Sequence, residues 1–174
     1  DSPQSFIAII QAGFRDEYAA NGMNERINGL GVGERQGYMQ TLCKVSVAKQ
    51  SGQGAATILK ENIDKMVSRC WRYSRAVWIA NHDTRVQLKS LVQIIGTGGN
   101  AVAYLTGAPG GAEFLDNRPI FFTEYAKTVG TEGDIALVVP SEYLEGTYQT
   151  EQYAESMHVR FAAAERMFRF YRRN

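Results

Sequence analysis

Apolar residues at four-residue steps open the chain. Phe6, Ile10, Phe14 and Tyr18 predict one stripe along a helix of about five turns, starting at the cap Ser2-Pro3 and stopping at Asn21-Gly22. The next stretch alternates Gly29, Gly31, Gly33 and Gly37 with Leu30, Val32, Arg35 and Tyr38, as expected of a loop threaded close to other backbone. The period then falls to two: Cys43, Val45 and Val47 against Lys44 and Ser46 predict a short strand. A helical period returns from Thr57 to Tyr73, with Leu59, Ile63, Met66 and Cys70 on one face, widened by Val67 and Trp71. Its acids Glu61 and Asp64 come early and its bases Arg69 and Arg72 late, as the helix dipole favours.

Ala76-Val77-Trp78-Ile79-Ala80 is a buried-strand pattern, and Asn81 is placed to cap a third helix carrying Leu88, Leu91, Val92 and Ile95 on one side. From Gly96 to Gly111 no period survives beyond Tyr104-Leu105, which predicts a long loop. Short apolar strands separated by Gly turns follow at Ile120-Phe121-Phe122 and at Ile135-Ala136-Leu137-Val138-Val139. Met157, Val159 and Phe161, then Phe168 and Phe170, alternate around Ala162-Ala163-Ala164-Glu165 and predict a terminal hairpin with an aromatic face. This mixture of elements implies an α+β fold, with Trp71 and Trp78 expected in its core.

Composition narrows the function. With 174 residues and 44% of them hydrophobic, the chain can bury the core of one domain or two small lobes. Nineteen Lys plus Arg against 18 Asp plus Glu leave no positive excess to condense on a polyanion. Cys43 and Cys70 have no metal-ligand spacing and read as free thiols, although a lone disulfide stays open. No run approaches the roughly 20 apolar residues of a membrane span, so a soluble protein without membrane contact is expected. The start at Asp1, almost at once in a helical pattern, leads us to expect further sequence upstream.

Candidate chemistry is sparse. Cys43, His82 and Asp83 alone offer a nucleophile, a base and an acid in one lobe, but nothing in the sequence sets Cys43 beside His82, and Asn81-His82-Asp83 reads better as a helix cap. Gly96-Thr97-Gly98-Gly99 has the glycines of a phosphate loop without the Gly-Lys-Ser/Thr ending. Arg160, Arg166, Arg169, Arg172 and Arg173 are the best argument for nucleic-acid binding. Strand alternation disperses them, with Arg169 and Arg173 on one face and Arg166 and Arg172 on the other, and Glu151, Glu155 and Glu165 lie close in sequence, which favours a salt-bridged or subunit-facing edge. No catalytic, metal or cofactor residue is assigned.

The order of motifs carries more than any one of them. Arg118-Pro119 leads through Ile120-Phe121-Phe122 to Glu124; Thr128, Gly130 and Gly133-Asp134-Ile135 follow; Ser156, His158-Val159 and Phe161, then Phe168-Arg169, close the chain. This order resembles the C-terminal half of the major capsid protein of tailed bacteriophages. Upstream, Phe14-Arg15 with Asn21-Gly22 is similar to the family's spine helix. Val45-Ser46-Val47-Ala48-Lys49, Gly52-Gln53-Gly54-Ala55-Ala56-Thr57 and Glu61-Asn62 are similar to the lead into its axial helix, and Ala76 to Asp83 to its central strand and turn.

The resemblance implies the HK97-like shell fold: residues 1–40 as spine helix and connector of a peripheral lobe, 41–140 as an axial α+β lobe, and 141–174 as the terminal strands of the peripheral lobe. It implies a structural subunit and no enzyme, assembled in the bacterial host cytoplasm into the virion. The subunit would form pentamer and hexamer rings and touch packaged DNA weakly and without sequence preference, with no cofactor and no small-molecule substrate. Gly96, Thr97, Gly98, Gly99, Asn100 and Tyr104 would meet neighbours around a symmetry axis, and Arg160, Arg169 and Arg172 would face a subunit edge. The family's arm and extended loop ahead of the spine helix have no counterpart here, so a core fragment forming a monomer or small ring is expected. An encapsulin-like nanocompartment shell and a small nucleic-acid-binding module are the alternatives.

Overall fold

In the computed structural model, which describes residues 3–95, 99–107, 111–146 and 149–173, the chain is mixed α+β and divides into two compact units. One joins Asp1–Gly37 to Leu144–Asn174, and the other is Tyr38–Tyr143.

The larger unit is organised by Trp78. It lies on β1 (Val77–Ala80), whose alternate residues Trp78 and Ala80 are buried while Val77 and Ile79 are half-buried. β1 pairs in parallel with β6 (Arg118–Phe122), Trp78 opposite Ile120, and antiparallel with β7 (Ile135–Val138), Trp78 opposite Leu137. β5 (Glu113–Leu115) and β4 (Leu105–Gly107) extend the sheet to the order β4-β5-β6-β1-β7. Two helices, α2 (Lys60–Ser68) and α3 (Thr84–Ser90), cover the Trp78 face: Ile63 of α2 and Leu88 of α3 are fully buried in one cluster with Trp78, Ala80, Leu115 and Ile120. Asp116 and Asn117, both at positive φ, make the two-residue turn from β5 to β6, the geometry that matches strand twist. The Tyr73 hydroxyl donates to Asp116, whose carbonyl and carboxylate oxygens lie 2.6 and 3.0 Å away.

Several predicted elements are reshaped. The second helix is shorter than Thr57 to Tyr73. It starts where the Leu59 N–H is met by the Asn62 side chain at 2.9 Å, and it unwinds where the Cys70 N–H bonds back only three residues and Arg72 turns left-handed at φ 54°. Trp71 is therefore thrown out of the core, 70% exposed, with the Arg72 guanidinium over its ring. The third helix stops at Ser90, so Val92 and Ile95 belong to β2 (Val92–Ile95). Residues 43–47 form no strand. They pair with no neighbour among the described residues and are tethered instead by Lys44 and Ser46 to Glu132.

In the smaller unit α1 (Pro3–Asn28) runs through Asn21-Gly22 instead of stopping there. The Asn21 side chain donates to Glu25 one turn on at 2.8 Å, and burial of Ile27 together with the pairing of Glu25 to Arg35 offsets the roughly 1 kcal/mol that a mid-helix glycine costs. The helix ends at Gly29, and the chain doubles back so that the Gly37 N–H meets the Gly29 carbonyl at 2.8 Å. A Cβ at Gly29 would fall on the carbonyl oxygens of Arg35 and Glu25, and one at Gly37 on the backbone of Ile27, so the glycine spacing did report a close backbone approach.

The terminal hairpin exists, but its first strand is earlier than predicted. β8 (Gln149–Ser156) pairs with β9 (Met167–Arg173), and Met157, Val159 and Phe161 lie in the connection. Aromatic contacts set this register: Tyr153 sits directly opposite Phe170 and packs on Phe168, and Phe14 of α1 stacks on Phe170 with ring centroids 4.1 Å apart.

A buried charge cluster ties the turn to the returning chain. Arg35 Nη1 bonds Glu25 Oε2 at 3.0 Å with both side chains buried, Arg35 Nε meets Glu145 Oε1 at 2.5 Å, and Arg26 Nε meets Glu145 Oε2 at 2.9 Å. The Arg26 hydrogen bond, against an opposing effect of burial and with help from both guanidinium charges, holds the Glu145 carboxyl below its usual range.

Two outcomes follow from this packing. Leu88→Ala should lower unfolding free energy by about 2–5 kcal/mol in urea titrations, and Trp71→Ala by less than about 0.5 kcal/mol. A depressed carboxyl stabilises fully above its unfolded pKa, here 4.5, and that stability is lost as pH falls through the lower folded value. Wild type should therefore lose melting temperature below about pH 4.5, and Glu145→Gln should be less stable at neutral pH with a flatter acid limb.

Candidate functional site

The described part of the stretch predicted as a structureless loop contains two strands, β3 (Asn100–Ala103) and β4, and β3 closes a hairpin with β2, whose residues were predicted at the end of the third helix. β2 pairs antiparallel with β3 in a two-stranded sheet of its own: Val92 faces Ala103, Gln93 faces Val102, Ile94 faces Ala101 and Ile95 faces Asn100. The signal was present in the sequence, since Val92, Ile94 and Val102 flank a glycine-rich tip of the kind that joins hairpin strands. Gly96, Thr97 and Gly98 lie outside the described residues. Gly99 has φ +73° with open space where a Cβ would stand. Asn100 begins β3. A strand now precedes the glycines and a strand follows them, so the strand–loop–helix frame of a phosphate loop is not built.

Tyr104 holds the base of the hairpin. Its backbone N–H bonds the Leu91 carbonyl at 3.1 Å, its ring is buried in the core, and its hydroxyl donates to Asp64 Oδ1 of α2 at 2.8 Å. Burial, then the Asp64 bond, pushes the phenol above its ordinary value. Tyr104 is thus an internal support of the hairpin, where the sequence reading had it facing a neighbour. Beyond this root the hairpin is uncovered: Val92, Ile94 and Val102 are all exposed, Ile94 at 69%.

The arginines are largely engaged locally. Arg160 pairs with Glu165 at 2.8 Å, Arg166 approaches Glu155 at 3.7 Å, and the Arg169 guanidinium lies 4.8 Å over the Tyr171 ring. Arg169 lies on β9 and Arg166 precedes the strand, while the side chains of Arg172 and Arg173 lie outside those described. The structure does not bring Arg160, Arg169 and the hairpin tip into one compact unit, since the first two belong to the smaller unit and the tip to the larger.

His82 and Asp83 sit between β1 and α3. The Asn81 side chain accepts the Asp83 N–H at 3.0 Å and donates to the Ala126 carbonyl at 2.6 Å, so Asn81 satisfies backbone groups as its cap reading required, although Asp83 occupies the cap position itself. His82 is exposed with Glu124 at 3.9 Å. Cys43 is exposed on the tethered segment and Cys70 is partly buried, both as free thiols. Among the described residues no trio of His, Cys, Asp or Glu is grouped to hold a metal ion, and no helix is long and apolar enough to cross a membrane.

Several large apolar side chains are exposed among the described residues, including Phe6, Ile9, Ile94, Phe121 and Phe161. Surface of this kind marks sites of association. Compared with protein-family models, curated proteins and solved structures, the chain finds no significant match.

The two thiols should differ in reactivity. Burial raises the Cys70 thiol above its ordinary pKa, away from the reactive thiolate. A thiol-specific reagent at pH 8 should label Cys43 first, faster by about tenfold or more, with the order of modification read by peptide mass mapping.

Proposed function

We propose that this chain is a structural subunit of an icosahedral phage head, a major capsid protein that self-assembles into rings enclosing DNA. The observation that carries the reading is the β2–β3 hairpin, an apolar two-stranded arm rooted by Tyr104 and left uncovered by its own chain. A monomeric protein that worked alone would expose such surface to no benefit and at a solubility penalty. The order of sequence motifs along the chain supports the same reading, as does the apolar surface on both units.

The mechanism is geometric. Identical copies joined by contacts between two different patches close into rings when the rotation per contact divides a full turn, and rings of five and six close into a shell. The glycine-rich tip suits a place near the ring axis, where several copies of one loop approach without side-chain clashes. Arginines already engaged by Glu155, Glu165 and Tyr171 suit weak, sequence-independent contact with packaged DNA that fades as salt rises.

Negative-stain imaging of the concentrated protein should show ring particles whose class averages have five- or six-fold symmetry. The resemblance leaves a monomer or a small ring open and the exposed hairpin favours the ring, so a monomer by light scattering at every concentration up to about 1 mM would refute the assignment by leaving that surface without a partner of its own kind.

A further inference from the structure

The five-stranded sheet has its polarity inverted. The strand residues facing away from the helices, read by register across β4-β5-β6-β1-β7, are Thr106, Phe114, Pro119 and Phe121, Val77 and Ile79, and Ala136 and Val138. None is charged. The charged strand residues Glu113 and Arg118 lie instead on the helix-covered side, where Arg85 pairs with Glu113 at 2.6 Å and Arg118 donates to the Ala76 carbonyl at 2.9 Å. A sheet whose second face is meant for water shows polar residues there. Here that face carries Phe121 at 59% exposure and Phe114 at 39%.

The same chain holds a matching element. One face of the β2–β3 hairpin consists of Val92, Ile94, Ala101 and Ala103, all exposed and all uncharged. Four residue pairs make a ladder about 13 Å long and, with side chains, about 10 Å wide; five strands about 4.8 Å apart present a face wide enough to seat it. The hairpin is kept from its own sheet's open face by its root, because Tyr104 and Leu91 pack on the helix side and the Tyr104 hydroxyl is bonded to α2. Only another copy can bring the two surfaces together.

We propose that the hairpin of one copy docks, by its Val92/Ile94 face, on the open sheet face of the next copy around Phe121, Phe114 and Ile79. The contact is heterologous, each copy giving a hairpin and receiving one, so it propagates around a ring. It turns a one-sided sheet into two packed sheets about 10 Å apart. This inference rests on the assembly reading and specifies which surfaces meet. The area of a single such contact falls below the roughly 1,000 Å² of a stable pair, so ring closure supplies the remaining stability by holding each copy at two points.

Complementation tests it. Ile94→Asp disables the hairpin and keeps the sheet face; Phe121→Asp does the reverse, and both positions are exposed enough for the fold to survive, as circular dichroism melts would check. Each variant alone should associate at least tenfold more weakly than wild type in sedimentation velocity. Mixed one to one, the two should form a heterodimer and nothing larger. Chemical shifts of Ile79 and Ala136 in labelled Ile94→Asp should move when unlabelled Phe121→Asp is added, which detects the contact even if it is weak. Val102→Asp, on the other hairpin face, should assemble as wild type does. If wild type assembles while either disabling variant assembles equally well, or while the mixture gives no heterodimer and no shifts, the docking is wrong and the assembly reading stands. If wild type itself never associates, both fail.

Discussion

Burial of Trp78 is the constraint on which the larger unit depends. The indole sits on β1, between Ile120 of β6 and Leu137 of the edge strand β7 by register and against Ile63 and Leu88 from the two helices. Parallel pairing with β6 on one side and antiparallel pairing with β7 on the other make β1 the strand that links β7 to the rest of the sheet. Tyr73, packed against the same cluster, fixes the Asp116-Asn117 turn and so sets where β6 begins. Burial, followed by the Asp116 bond, pushes the Tyr73 phenol well above its ordinary pKa.

The smaller unit solves the same problem with less apolar material. Its helix leaves Phe6 and Ile9 exposed, and its aromatic contacts include those among Phe14, Tyr18, Tyr153, Phe168 and Phe170. Arg35 supplies the missing constraint: a guanidinium held by Glu25 and Glu145 fixes direction as well as distance, which apolar packing alone does not. A buried charge of this kind is harmful if any partner is lost, and the cluster therefore selects one arrangement of the turn and the returning chain over looser ones.

Much of the larger unit was legible in the sequence because its elements are local. The strand at Trp78, the apolar strands after Arg118 and at Ile135, and the helix face carrying Ile63 all follow from periodicity, and all are present. Failures came where a distant contact overruled a local signal. Asn21-Gly22 has the letters of a helix stop, but Asn21 is used within the helix by Glu25. Cys43 to Val47 has the alternation of a strand, yet strand formation needs an edge to pair with, which no single segment encodes. The register of the last hairpin was misread because Met157, Val159 and Phe161 alternate as well as Tyr153 does, and only cross-strand contact with Phe170 decides between them. The hairpin at Val92 was hidden twice: Val92 and Ile95 continue the helical spacing of Leu88 and Leu91, which put the first strand on the third helix, and the glycines ahead of Asn100 signal a turn and a loop in the same letters. Tyr104, taken for a surface residue of that loop, is fixed by Asp64, 40 positions away.

The backbone contact between Gly29 and Gly37 has an evolutionary consequence. Two peptide planes there touch with no room for a methyl group from either side, so substitution at one position cannot be compensated by substitution at the other. The turn can drift at its exposed Val32, whereas Gly33 at φ +73° favours glycine, and insertion or deletion between Gly29 and Gly37 would shift Arg35 off Glu25 and Glu145. Nine consecutive positions are thereby frozen in number while several remain free in identity. Descendants of this sequence should vary in letters here long before they vary in length.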